Sequence, residues 1–130
     1  MPSSKQFGCE KCFQAEAEEM AKLELAHVAR LVDQSHLGIS ILACPACGQR
    51  CVWIFTESID WVGGDDPSYV SVLPVTLDES EMMLSAGAAA YSQIEALGHR
   101  QYLHLQNDYA AGGLQRVRWV YGDFVIGPHD

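Results

Sequence analysis

Apolar positions recur every three or four residues in two stretches of this chain and every second residue in several others, and the alternation of these rhythms marks out its elements. From residue 13 to about 34, Ala21, Leu25, Val28 and Val32 share one helical face, and Glu18 and Lys22 form an i,i+4 pair on the other. The pattern predicts a helix there, with Gly38 at its far end. Ile39–Ala43 and Cys51–Phe55 are short apolar runs that predict a hairpin with residues 44–48 at its tip. Tyr69 to Val75 alternates as a further strand up to Pro74. Thr76-Leu77-Asp78-Glu79 has the form of a capping box, and it opens a second predicted helix whose stripe is Met83, Ala86, Ala90, Ile94 and Leu97. Gly98 should end that helix. Gly87 inside it costs about 1 kcal/mol relative to Ala, while the small residues around it allow close packing. Arg100–Leu105 and Leu114–Tyr121 predict a long hairpin, with Val117, Trp119 and Tyr121 facing the core and Arg116, Arg118 and Val120 facing away. The expected class is α+β: one domain over residues 1–130, with an antiparallel sheet, two main helices and the turn at residues 44–48 at one end.

The chemistry concentrates at that end. In Cys44-Pro45-Ala46-Cys47-Gly48, two thiols separated by two residues can converge on one ion, and glycine after the second relieves crowding where amides approach sulfur. Cys9 and Cys12 supply a second pair, completing a four-thiolate set. Residues 44–48, and to a lesser degree Cys9–Cys12, resemble the knuckles of zinc-ribbon and rubredoxin-type proteins. That resemblance implies one metal ion held by Cys9, Cys12, Cys44 and Cys47, with Zn2+ favoured over iron. Phe13 stands where the first pair would otherwise have its glycine. A helix starting directly after Cys12 would place positive amide dipoles at the first pair, in the manner of a treble-clef-like site with exchanged halves. Lys11 and Arg50 lie close enough in sequence to moderate the excess negative charge. A fifth cysteine, Cys51, is left over and reads as a buried or partly exposed free thiol. His36, between the predicted helix and the knuckle, is a further group that could approach the metal, whereas His27, His99, His104 and His129 follow no ligand spacing.

Composition narrows the partners. Seventeen acidic residues against eight basic ones give a formal charge of -9, which repels a phosphate backbone and argues against nucleic acid as a general ligand. It suits solubility or a basic protein partner. Arg116 and Arg118 remain candidates for a local basic patch. Asp60, Trp61, Asp65 and Asp66, following Glu57, form an acidic stretch whose Gly63-Gly64 and Pro67 read first as an Asx-rich turn and second as a partner-binding surface anchored by Trp61. Residues 1–8 contain no apolar leader segment, and no window approaches the roughly 18 apolar residues of a membrane span. The expectation is a cytoplasmic protein with no membrane partner, in which cysteines ligate metal before they form disulfides. No nucleophile elbow, phosphate-binding loop or paired-acid signature is present. The leading reading is therefore a small, non-catalytic zinc-binding module for protein interaction or regulation. The alternatives are a thiol-disulfide redox protein using Cys44 and Cys47 or Cys51, and a zinc-ribbon-like nucleic-acid binder.

Overall fold

The computed structural model describes residues 7–57, 68–107 and 115–126. Six strands form one antiparallel sheet in chain order: β1 (Ala26–Gln34), β2 (Leu37–Ala43), β3 (Arg50–Glu57), β4 (Ser68–Pro74), β5 (His99–Asn107) and β6 (Gln115–Asp123). Each strand pairs with its sequence neighbour, so the sheet is a simple meander and its class is α+β. Paired residues share a face, and the registers sort the side chains into two layers. Ile39, Ile41, Val52, Ile54 and Leu73 lie on one face, and Leu42, Cys51, Trp53, Val72 and Leu103 on the other.

The first face is covered by α2 (Leu77–Ala86), a 3-10 turn (Gly87–Ala89) and α3 (Ala90–Glu95), which bury Met83, Ala90 and Ile94 against it. The second is covered by an N-terminal arm and α1 (Ala17–Lys22), through Cys12, Phe13 and Met20. No helix among the described residues is long and apolar enough to cross a membrane.

Two helical expectations are corrected. Of the segment 13–34 only Ala17–Lys22 is helical, and Ala26–Gln34 is the edge strand β1. Its pairing with β2 shifts register between His27 and Ala29 and again between Arg30 and Val32. Each irregularity disturbs the period of two, so Val28 and Val32 mimic helical spacing while Val28 is exposed and Val32 buried. The second helix opens at the expected capping box, where Glu79 N–H donates to Thr76 Oγ1 at 3.1 Å and Thr76 N–H to Glu79 Oε1 at 2.9 Å. It breaks at Gly87, whose φ of 61° and ψ of -127° belong to a region open essentially to glycine. In β6, Val117 and Trp119 pack into the second layer as expected, but Tyr121, nearer the end of the strand, is 69% exposed and lies outside that cluster.

A tie unseen in the sequence joins these pieces. Arg100, with a side chain 9% exposed, forms a bidentate pair with Glu79 at 2.9 and 3.0 Å and donates to the carbonyls of Pro74 and Leu97 at 2.8 and 2.6 Å. The capping-box acid thus also anchors β5 to the start of α2 and the chain leaving α3.

Candidate metal centre

The β2–β3 hairpin carries residues 44–49 at its tip, as the apolar runs predicted. Gly48 N–H donates to Cys44 O at 2.9 Å and Cys44 N–H to Gln49 O at 3.0 Å, closing the turn, and Gly48 takes a φ of 80°. Cys9 and Cys12 reach the same point from the N-terminal arm through a turn closed by Cys12 N–H to Cys9 O at 3.0 Å. No helix begins at Cys12; α1 starts at Ala17, so its dipole does not serve the first pair. Backbone amides of the turns do that work locally: Cys9 N–H lies 3.2 Å from Cys12 Sγ, and Ala46 N–H 3.4 Å from Cys44 Sγ.

The four sulfurs converge. Cys9 Sγ is 3.8 Å from Cys12 Sγ and 4.0 Å from Cys44 Sγ, Cys12 Sγ is 3.8 Å from Cys47 Sγ, and all four lie within 4.8 Å of one another. A tetrahedron with metal–sulfur bonds of about 2.3 Å has edges of about 3.8 Å, so the donors are spaced for a single ion. Tetrahedral sulfur donors accept zinc or iron. The arrangement is knuckle-like and could hold a metal.

Burial grades the four cysteines. Cys12 and Cys44 are buried, Cys9 is intermediate and Cys47 is exposed. The Lys11 amide lowers the pKa of Cys9, whereas burial pushes Cys12 up to about 12 and also raises Cys47. Bringing buried thiols together without compensation opposes ionisation, and a divalent cation at their centre reverses that balance.

Two supports escaped the sequence reading. Gly8, at φ 72°, packs so closely that a Cβ there would lie 2.6 Å from Cys12 Sγ. Gln49 accepts from Gly8 N–H at 2.8 Å and donates to the carbonyls of Arg50 and Val75 at 2.8 and 2.7 Å, stitching the arm to the knuckle and to the end of β4. The glycine missing after Cys12 is explained by Phe13, a buried core residue whose ring lies 6.0 Å from that of Trp119.

The remaining candidates sort plainly. Cys51 is fully buried, donates to Leu42 O at 3.6 Å, has its pKa pushed up to about 12 by burial and stands outside the four-cysteine cluster. His36 lies at the opposite end of β2, where its Nδ1 is 3.1 Å from Glu57 Oε1. Arg50 turns toward Ser80 Oγ at 3.2 Å, and Lys11 is exposed. Asp60, Trp61, Asp65 and Asp66 lie outside the described residues. Compared with known proteins, the chain matches no family model, no curated protein and no solved structure at a significant level.

Proposed function

We propose that Cys9, Cys12, Cys44 and Cys47 hold one structural Zn2+ ion, and that the protein is a non-catalytic interaction module in which this ion pins the N-terminal arm to the β2–β3 knuckle. The observation that carries the reading is the convergence of four sulfurs from two distant turns at near-tetrahedral spacing. A complete thiolate shell leaves no open coordination position for a substrate, which fits a structural ion. The redox alternative is less well supported, because Cys44 and Cys47 lie between two strands and lack the helix N-terminus that activates such pairs. With a formal charge of -9, the partner we propose is a basic protein. Neutralising Asp60, Asp65 and Asp66 together should weaken its capture.

Elemental analysis of protein purified without added metal tests the centre. About one zinc per chain is expected, retained in Cys51→Ala and lost in Cys12→Ser. Five thiols should resist modification in the zinc-bound protein and all five react after denaturation with a chelator, since Cys51 is buried. Stoichiometric iron would replace zinc in the reading. A metal-free protein with fewer than five thiols in the denatured, unreduced state would overturn it in favour of redox chemistry.

A further inference from the structure

The helices cover only part of the first sheet face. Beyond Leu73 and Ile54 its cross-strand rows turn polar and aromatic: Ser71, His104 and Arg118 stand side by side in one row, and Tyr69, Gln106 and Arg116 in the next. Ser71 is buried, and its Oγ lies 3.2 Å from His104 Nδ1, fixing the imidazole in place. The rings of Tyr69 and His104 stack with centroids 5.9 Å apart and planes 18° from parallel, and both remain partly accessible. Burial, followed by the charge of Arg118, lowers the pKa of His104 below that of an ordinary imidazole. Arg116 and Arg118 are exposed and form no ion pair among the described residues, in a chain with more than twice as many acidic as basic residues.

Such a face combines a stacking platform with unspent guanidinium groups. Strands lie about 4.8 Å apart, which puts the Tyr69 and Arg116 backbones roughly 10 Å from each other across β5. That span matches a planar base resting on the aromatic pair with its phosphate at the arginines. Base–aromatic stacking together with arginine–phosphate contact is the usual chemistry of single-strand recognition on open sheets. We propose that this face binds a nucleotide unit, a base with its phosphate, either free or within a single strand. The overall negative charge confines the contact to this patch and disfavours long duplexes.

The test uses the full zinc-loaded chain at low ionic strength, with a labelled oligouridylate and a labelled oligothymidylate read by fluorescence anisotropy, and uridine and adenosine monophosphates as competitors. Saturable binding is expected, with log affinity falling against log salt at a slope of about -1.4 for two phosphate contacts on a single strand. R116Q/R118Q should flatten that slope and weaken binding at least tenfold. Tyr69→Leu should weaken binding about five- to a hundredfold. Zinc content and circular dichroism should stay unchanged in both variants. Competition by monophosphates at concentrations equivalent to the oligomer assigns the ligand as a free nucleotide, and weak competition assigns a single strand; either supports the proposal. Absence of binding at low salt, binding unaffected by R116Q/R118Q, or equal affinity for an acidic polyglutamate peptide would overturn it.

Discussion

Gly8 carries a constraint that the cysteines alone do not express. Its positive φ, and the 2.6 Å that would separate an added Cβ from Cys12 Sγ, mean that any side chain must displace the Cys12 sulfur or its turn. Gly8→Ala is therefore expected to weaken metal affinity by about tenfold or more, the range seen when groups supporting metal ligands are lost. Gly48→Ala has open space around the added carbon and should cost only its left-handed backbone, about 1 kcal/mol. Competition with a chromophoric chelator distinguishes the two. At this scale the sequence identified the converging thiols because CxxC spacing is local. Gly8 and Gln49 were not legible, since one acts through a close approach and the other joins positions 41 residues apart. The placement of Arg50 against Ser80 likewise depends on α2, which nearness in sequence to Cys47 does not reveal.

Helix propensity and observed geometry disagree about Gly87, and that disagreement is measurable. Inside a continuous helix, replacing glycine by alanine would stabilise the protein by about 1 kcal/mol. In the structure Gly87 caps α2 and opens the 3-10 turn at φ 61° and ψ -127°, so Gly87→Ala should destabilise the protein by about 1–3 kcal/mol. Urea unfolding of the variant decides the sign. The open space around an added Cβ assigns the cost to the backbone rather than to a clash. Elements with both a period and a punctuation signal were legible: the Thr76–Glu79 capping box, the knuckle hairpin, β4 ending at Pro74, and the β5–β6 pair. The lost element is β1, where two register shifts scrambled the alternation and the chain gained its pairing from β2, a contact that local pattern does not encode.

Across the whole molecule, the proposed ion would bear differently on the two sides of the sheet. The α2–α3 side is closed by apolar packing and by the Arg100–Glu79 tie, whereas the arm side adds to its own apolar packing the convergence of Cys9 and Cys12 on the knuckle. With the proposed ion in place, a strong chelator should therefore release the arm and α1. Loss of the Trp119 Nε1–H hydrogen bond to Ala15 O, and of the Phe13–Trp119 contact, should change tryptophan emission and near-ultraviolet dichroism while the far-ultraviolet strand signal largely remains. Simultaneous loss of both signals would show that the two layers form one cooperative unit. The α+β class was legible from the mixture of periods, but the strict neighbour-to-neighbour strand order was not, because several orders satisfy the same alternation. That order has a consequence in time. Each successive strand can zip onto its predecessor through a local loop closure, so the sheet can grow as the chain leaves the ribosome. The arm is made before the strands it covers yet seats after them: Ala15 waits for Trp119, 104 residues later, to be synthesised. Until then its apolar residues are the segment of the nascent chain most in need of shielding, and early capture of an ion by the arm and knuckle would hold them beside the growing sheet.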